Sequence, residues 1–254
     1  MIAYLTIDDA PSADWHRKLH VLRRLRIPAV FFCWGEHLEA RPAFAAAALA
    51  DGHVLGNHSW SHPSFSEISL DSCRHEIERT HELLEQLHAE AGRRFAPRYF
   101  RFPYGDKGAL TGSDTEADLT AEGAARKAAI QRALRDHGYA QPAFPGITYR
   151  WYHDRGLLDD ADWYWTYDCM EWSIHSEEPL FGVRSAEDVF SRMEENEPEG
   201  GRGLHHFGSE DIVLLHDHTE TTSIFQPILA RLLEKGLVFA LPERGAAAVA
   251  GRAR

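Results

Sequence analysis

Short apolar runs of the kind that form buried strands alternate with longer amphipathic stretches along this 254-residue chain. A strand-like run at residues 2–7 is followed by a helical pattern near 14–26, and the alternation ends with a helix near 222–235 and a strand at 237–241. Such alternation is typical of a parallel sheet with helices packed on it. We therefore expect an α/β fold, and a closed or partly closed β/α barrel in particular.

The elements in between follow the same pattern. The predicted strands lie at 29–33, 53–56, 98–102, 163–168 and 212–216, and the predicted helices lie near 42–50, 70–91, 120–137 and 185–195. Gly138 and Gly236 directly follow two of the helices and are expected to cap them.

Residues 1–243 are predicted to form a single domain. Three polar, loop-like stretches near 106–122, 141–162 and 194–210 lie inside the alternation, so we interpret them as surface insertions and not as linkers. Residues 244–254 are rich in Ala, Gly and Arg and are expected to form a frayed tail.

Acidic residues outnumber basic ones, with 39 Asp and Glu against 27 Lys and Arg and a formal net charge of −12. Polyanions repel a chain with this balance, which argues against nucleic acid or an anionic membrane as a partner. The 16 histidines are an unusual number and direct the search towards a metal site or an acid/base site.

The three cysteines, Cys33, Cys73 and Cys169, are odd in number and far apart, which favours a reduced compartment over a disulfide framework. No apolar run approaches the roughly 20 residues that a membrane-spanning helix needs. A strand-like run begins directly after Met1, where a leader would lie. We expect a cytoplasmic protein if Met1 is the native start. The condition is needed because a mature secreted protein, from which the leader has been removed, would also begin without one.

Polar residues with catalytic potential follow five of the predicted strands. They are Asp8-Asp9, the segment His58 to His62, Arg101, Asp168 and His216. In β/α barrels the carboxyl ends of the strands form the rim that carries the active site. The repeated occurrence of Asp, His and Arg at strand ends therefore predicts one site at that rim.

His58 and His62 have the i,i+4 spacing that places two imidazoles on one face of a helical turn, although an isolated H-x-x-x-H is more often a pair of exposed loop histidines. A carboxylate from Asp8-Asp9 would complete a set of two histidines and one carboxylate. That set suits zinc hydrolysis first and non-haem iron second. An Asp pair could also merely cap the following helix.

Successive side chains of an extended strand alternate, so Asp8 and Asp9 should point different ways, one towards a metal and the other acting as a base. Arg101 would keep that base ionised, or would form a surface salt bridge. His216 leaves an apolar strand and could be a tuned acid oriented by Asp168, or a hydrogen-bonded core histidine.

Five motifs occur in order along the chain: Thr6-Ile7-Asp8-Asp9, His58-Ser-Trp-Ser-His62, Arg101-Phe-Pro-Tyr104, Asp168-x-x-Glu171-Trp172 and Leu214-Leu-His216. Together they resemble the motifs of the NodB-like polysaccharide deacetylases, carbohydrate esterase family 4. The resemblance runs from residue 4 to about residue 241. It implies a distorted (β/α) barrel with about seven parallel strands, the NodB homology domain.

The resemblance implies a role for each catalytic residue. Asp8 would be the catalytic base, oriented by Arg101, and His216 would be the general acid, with its pKa tuned by Asp168.

The binding residues carry over in the same way. Asp9, His58 and His62 would hold one divalent metal ion, zinc first, with Co²⁺, Ni²⁺ and Mn²⁺ as alternatives. The backbone N–H of Tyr104 would help to form the oxyanion hole. Leu214 and Trp172 would line the pocket for the acyl methyl group.

Several residues depart from the family pattern or lie outside it. Glu171 stands where the family usually has Asp, and Ala10 and Ile7 replace the usual Gly and Phe. Four aromatic residues could stack on sugar rings or pack beneath a long loop, namely Trp151, Tyr152, Trp163 and Trp165. Four further polar residues could add to the rim but are expected to be solvated loop residues, namely His205, His206, Asp217 and His218.

The expected function is that of a metal-dependent hydrolase that removes N-acetyl groups from an N-acetylated amino sugar, oligosaccharide or polysaccharide. An O-acetyl esterase, an N-formyl or other C–N amide hydrolase, and a non-catalytic carbohydrate-binding protein are the alternatives. The complete metal set counts against metal-independent imidase relatives. The sequence leaves the exact substrate and the oligomeric state open.

Overall fold

Parallel strands form the centre of the computed structural model, which describes residues 1–110, 119–195, 203–204 and 208–242. The strands are β1 (Ile2–Ala10), β2 (Val30–Cys33), β3 (Val54–Asn57), β4 (Tyr167–Asp168), β5 (Asp211–His216) and β6 (Val238–Phe239). The order is β3-β2-β1-β5-β4, and β6 pairs with the start of β1. Every pair is parallel, so the predicted α/β fold is confirmed.

Helices connect the strands as the sequence pattern predicts. They are α1 (Trp15–Leu25), α2 (Gly35–Ala40), α3 (Ala43–Ala50), α4 (Leu70–Glu90), α5 (Ala121–Asp136), α6 (Arg150–Asp154), α7 (Ala186–Arg192) and α8 (Thr222–Glu234). Helices α2 and α6 were not predicted, because five or six residues are too few to show a helical period. None of the described helices combines the length and the apolar character that crossing a bilayer requires.

Residues 98–102, predicted as a strand, close the ring of strands through a few backbone hydrogen bonds. Asn57 N–H donates to the Tyr99 carbonyl at 2.8 Å, Arg101 N–H donates to the Asn57 carbonyl at 3.1 Å, and Trp163 N–H donates to the Phe100 carbonyl at 2.8 Å. Prolines at 97 and 103 lack an N–H, so a regular ladder cannot extend beyond this segment. The barrel is therefore distorted at this point, and the expected count of about seven regular strands is not confirmed.

The two faces of β1 have different partners, because side chains alternate along a strand. Ala3, Leu5 and Ile7 belong to the large core beneath the helices. Tyr4 belongs to a second core inside the barrel. Asp8 lies on the same inward face as Tyr4, which directs its carboxylate towards the barrel axis.

Part of the predicted insertion at 141–162 fills the amino-terminal end of the barrel. Five of its side chains are buried in the inner core, namely Phe144, Ile147, Tyr149, Tyr152 and Leu157. Glu210, just before β5, donates its N–H to the Gly146 carbonyl and accepts a hydrogen bond from the Tyr4 hydroxyl. This segment therefore lies at the opposite end of the barrel from the polar rim, and it is less exposed than its polar sequence indicates.

A buried ion pair joins α1 to the loop after β5. Lys18 Nζ lies 2.8 Å from Asp217 Oδ1, and both side chains are 1% exposed. Lys18 also donates to the His218 carbonyl at 2.8 Å, and Asp217 accepts hydrogen bonds from the N–H and hydroxyl of Ser12. Because each charge has several polar partners, the pair holds the loop that follows His216 in one position.

Removal of Lys18 tests how far the fold depends on this pair. We expect Lys18→Met to lower the free energy of unfolding by about 3–5 kcal/mol, since it leaves the Asp217 carboxylate buried without its cation. Urea unfolding followed by circular dichroism measures the change. Arg23→Ala, which breaks the solvent-exposed pair with Asp51, is the control and should have a much smaller effect. A Lys18→Met protein that unfolds at the wild-type urea concentration would contradict the expectation.

Candidate active site

The carboxyl ends of the strands open onto a cleft of about 320 Å³. Its walls contain nine of the ten residues that the sequence analysis assigned to the site, together with three others. The lining residues are Asp8, Asp9, His58, His62, Tyr104, Trp165, Asp168, Trp172, Leu180, Leu214, His216 and His218. Arg101, the tenth predicted residue, is fully buried next to Asp8.

Asp8 and Asp9 both face the cleft, although the sequence analysis expected them to point different ways. Asp9 has a φ of 63°, in the left-handed region, and the pairing of β1 with β2 is irregular between Ile7 and Ala10. The left-handed residue breaks the alternation of the strand. Two adjacent carboxylates therefore reach the same site.

Asp9, His58 and His62 converge as a candidate metal site. The Asp9 Oδ1 atom lies 3.0 Å from His62 Nε2 and 3.5 Å from His58 Nε2. One ligand atom from each of the three residues lies within 4.8 Å of the others. Among the described residues, none donates a well-formed hydrogen bond to the buried Asp9 Oδ1. A buried carboxylate oxygen beside two imidazole nitrogens is a donor set that suits zinc.

The groups around Asp9, His58 and His62 favour the binding of a cation at this triad. The Nδ1 atom of His58 lies 2.8 Å from the Arg101 carbonyl, which can only accept, so Nδ1 donates this hydrogen bond and Nε2 is the nitrogen that faces the Asp9 carboxylate. Burial raises the pKa of Asp9, but contacts with the imidazoles of His218, His58 and His62 outweigh it and hold that pKa well below its ordinary value. Asp9 is therefore an anion at neutral pH.

The segment from His58 to His62 is an irregular loop, so the predicted helical turn is wrong. Ser59 and His62 have φ values of 67° and 59°, and this bent backbone brings the two imidazoles together. The Glu76 carboxylate of α4 accepts hydrogen bonds from the N–H groups of Trp60 and Ser61 at 2.8 and 2.7 Å. Glu76 was not predicted to contribute to the site, because nothing in a helical glutamate identifies it as the residue that holds a distant loop.

Arg101 binds Asp8 inside the barrel, so it is not part of a surface salt bridge. Its Nη1 atom donates to Asp8 Oδ1 at 2.9 Å and to Thr6 Oγ1 at 2.7 Å, and its Nε atom donates to the Trp163 carbonyl at 3.2 Å. The guanidinium also lies 4.4 Å from the centre of the Phe32 ring. These contacts fix the Asp8 carboxylate at the base of the cleft.

His216 is in direct contact with Glu171, which the sequence analysis treated only as a departure from the family pattern. Glu171 Oε1 accepts a hydrogen bond from the His216 backbone N–H at 2.5 Å and lies 3.3 Å from the ring Nδ1. Burial lowers the pKa of His216, but the hydrogen bond and charge of Glu171, with the charge of Asp168, raise it to about 10.

Asp168, predicted to orient His216, also binds other groups. Its carboxylate accepts hydrogen bonds from the Met170 N–H at 2.8 Å and from Trp172 Nε1 at 3.3 Å. One of its carboxylate oxygens lies within 4.8 Å of a carboxylate oxygen of Glu171 and of a ring nitrogen of His216. Asp168 therefore acts on His216 through its charge and also holds the Trp172 indole at the cleft.

Two polar residues expected to be solvated have buried partners instead. Asp217 is in the ion pair with Lys18, and His218 Nε2 lies 2.8 Å from Asp9 Oδ2. The expectation of a solvated residue was wrong for Asp217, whose partner lies about 200 residues away along the chain. His218, with 36% of its side chain exposed, adds to the rim, which was the alternative. His205 and His206 lie outside the described residues.

The apolar walls of the cleft come from several loops. Leu214 and Trp172 line the cleft, and Leu180 joins them from the turn at Leu180–Gly182; their contact with an acyl methyl group stays a prediction. Tyr104 projects from the rim with 72% of its surface exposed and a φ of 58°. Its position at the cleft agrees with the predicted oxyanion role of its N–H, which stays a prediction.

Of the four aromatic residues left open by the sequence analysis, Trp165 lines the cleft, where it stacks on Tyr164 at 4.1 Å. Trp163 and Tyr152 are fully buried in the inner core, and Trp151 packs against that core. Packing therefore accounts for three of the four, and Trp165 is the one placed to meet a ligand.

The contact between Glu171 and His216 predicts a measurable pKa. Glu171→Gln removes the negative charge, so the pKa of His216 should fall from about 10 towards its ordinary value of 6.5. The imidazolium then loses its proton at lower pH than in the wild type. A pH titration of the histidine ring signals by NMR, on metal-free protein, measures this shift. Glu178→Gln, at an exposed position nearby, is the control. An unchanged His216 pKa in Glu171→Gln would contradict the assignment.

Known proteins resemble this chain in sequence. Residues 1–121 match the family model for polysaccharide deacetylase. The chain is 38% identical over 103 residues to the peptidoglycan-N-acetylglucosamine deacetylase of Bacillus cereus, covering 40% of this chain and 36% of that protein. It is 34% identical over 82 residues to the chitooligosaccharide deacetylase of Rhizobium leguminosarum bv. trifolii, covering 32% and 38% of the two chains. The matched stretches thus span little more than a third of the length of these relatives.

A solved structure shares the fold over a much larger part of the chain. The family 4 carbohydrate esterase from Streptomyces lividans, solved in complex with acetate, is similar with a TM-score of 0.56 and 21% sequence identity. The likeness covers 94% of this chain and 92% of that one. Residues 1–121, which contain the first three of the five motifs, are thus similar to the polysaccharide deacetylase family, and the fold of the chain is similar to that of a family 4 carbohydrate esterase; together these likenesses support a NodB-like polysaccharide deacetylase.

Proposed function

We propose that the protein is a metal-dependent hydrolase that removes N-acetyl groups from an N-acetylated amino sugar or from an oligosaccharide or polysaccharide that contains one. The observation that carries the proposal is the convergence of Asp9, His58 and His62 with Asp8 and His216 on a single cleft. The names of the relatives from Bacillus cereus and Rhizobium leguminosarum support the same substrate class.

Asp9, His58 and His62 are the residues that would hold the metal ion. The fit rests on the buried Asp9 Oδ1 atom that lacks a well-formed hydrogen bond and on His58, whose Nε2 faces that oxygen at 3.5 Å while its Nδ1 is turned to the Arg101 carbonyl. Zinc suits two imidazoles and one carboxylate best, with Co²⁺, Ni²⁺ and Mn²⁺ as alternatives. When bound, the ion would polarise the amide carbonyl and lower the pKa of a water molecule to about 7.

Asp8 is the proposed base that accepts the proton of the attacking water. One of its oxygens is held by Arg101, and the other lies 3.6 Å from His58 Nε2, next to the metal set. The hydrogen bond from the buried guanidinium holds the carboxylate in place at the base of the cleft. Arg101 is therefore proposed as the positioning residue for the base.

His216 is the proposed acid. An amine leaves a tetrahedral intermediate only after protonation, and a positioned acid can supply that proton. Because Glu171 and Asp168 raise its pKa, His216 carries a proton throughout the neutral range. Glu171 is proposed to orient the His216 imidazole, a role that was expected of Asp168, and Asp168 adds its charge.

The acyl group and the developing oxyanion have proposed partners of their own. Leu214 and Trp172 would contact the acyl methyl group, and the Tyr104 N–H would stabilise the oxyanion. The loss of one such donor typically costs about 2.7–4 kcal/mol in transition-state stabilisation. Trp165 would offer its ring to a sugar face.

Acetate release from N-acetylglucosamine and its short oligomers is the direct test. Zinc-loaded protein should release acetate, and removal of zinc with a chelator should abolish the activity. Asp8→Asn keeps the shape of the side chain but removes its basicity, so we expect the rate to fall about 10²–10⁴-fold while zinc stays bound. Asp71→Asn, at a side chain that is 92% exposed, is the matched control.

The control results decide between the alternatives. No acetate from any of these substrates, from protein that does hold zinc, would overturn the amino-sugar assignment and lead to O-acetyl and N-formyl substrates. Turnover that survives both chelation and Asp8→Asn would overturn the metal-and-base mechanism.

The role of His216 predicts a difference between amides and esters. An alcohol leaves more easily than an amine without prior protonation, so His216→Gln should reduce kcat more for an N-acetyl amide than for an O-acetyl ester. Steady-state kinetics with a matched pair of acetylated sugars measures the two reductions. His20→Ala, at an exposed position on α1, should leave both rates unchanged. Equal losses on amide and ester would contradict the acid role.

A further inference from the structure

His218 lies beside the candidate metal site but belongs to none of the five motifs. Its Nε2 atom lies 2.8 Å from Asp9 Oδ2. The opposite carboxylate oxygen, Asp9 Oδ1, is the one that faces the imidazoles of His58 and His62. The two oxygens of Asp9 therefore have separate partners.

The direction of this hydrogen bond follows from the chemistry of Asp9. An ionised carboxylate can only accept, so Nε2 of His218 is the donor. A hydrogen bond on one oxygen restricts rotation of the carboxylate group and leaves the other oxygen towards the two imidazoles. Such support matters here because the left-handed backbone of Asp9 is itself an unfavourable conformation.

The backbone around His218 is fixed from several sides. The His218 carbonyl accepts hydrogen bonds from Lys18 Nζ at 2.8 Å and from Thr221 Oγ1 at 3.0 Å. The Asp217 N–H donates to the Asp8 carbonyl at 2.8 Å, which joins the loop after β5 to the end of β1. The buried Lys18–Asp217 pair thus places the His218 side chain next to Asp9.

We propose that His218 is a positioning residue that holds Asp9 as a one-oxygen ligand of the metal ion. With Oδ2 engaged by His218, Asp9 would contribute Oδ1 alone, which leaves coordination positions for water and substrate, as a catalytic site requires. This inference rests on the metal set of the proposed function. It does not depend on which substrate the protein hydrolyses.

Zinc affinity of purified protein tests this role without any substrate. Metal-free protein is titrated with zinc against a chelator of known affinity, and the dissociation constant is compared among variants. His218→Met and His218→Gln have side chains of nearly the same shape, and Gln alone keeps an N–H donor. We expect the dissociation constant to rise about 10–100-fold in His218→Met and to stay close to the wild-type value in His218→Gln. His20→Ala is the surface control.

Other outcomes would overturn the inference. Zinc binding as tight in His218→Met as in the wild type would show that the hydrogen bond has no role in metal binding. Equal weakening in both variants, with a changed visible absorption spectrum of the Co²⁺-loaded protein, would identify His218 as a ligand itself. A wild-type protein that binds no zinc would overturn the metal set and this inference together, whereas zinc binding without acetate release would overturn only the proposed reaction.

Discussion

The buried guanidinium of Arg101 connects the closure of the barrel to the chemistry at its rim. A charge removed from water costs several kcal/mol even after relaxation, so it must be offset by hydrogen bonds and an opposite charge. Arg101 finds both, in the Asp8 carboxylate and the Trp163 carbonyl. Its backbone N–H donates a hydrogen bond to the Asn57 carbonyl of β3, and its own carbonyl accepts a hydrogen bond from Nδ1 of His58. One residue therefore joins two parts of the ring, orients the proposed base and sets the tautomer of a proposed metal ligand.

The parallel pairing of β1 and β5 supplies the second constraint. Asp8 and His216 are direct neighbours in this register, so the proposed base and acid leave adjacent strands at the same end of the barrel. Asp9 follows in a left-handed conformation, which typically costs of the order of 1–3 kcal/mol and is tolerated where the surroundings hold it. The imidazole of His218 on one side of the carboxylate, and those of His58 and His62 on the other, hold Asp9 in this conformation. The strained residue is thus located at the centre of the proposed chemistry.

Long, regular elements were predictable from the sequence, and irregular ones were not. Helix α4 was expected near 70–91 and runs over Leu70–Glu90, because 21 residues show their period clearly. The strand expected at 98–102 is reduced to a single bridge between prolines, and the polar stretch at 141–162 proved to contribute buried aromatic side chains to the inner core. In these segments contacts with distant parts of the chain override the local pattern, so no window of sequence contains the necessary information.

The sequence by itself determined the kinds of side chain at the ends of the strands, and therefore the kind of chemistry. Asp, His and Arg after buried strands meet at one rim in any parallel barrel, whatever the details of the loops. The tertiary structure alone decided which partner each of them has. Glu171 reaches His216 across 45 residues of chain, and His218 reaches Asp9 across 209. Such partners depend on strand register, left-handed residues and a buried ion pair, and each of these exists only once the barrel has closed.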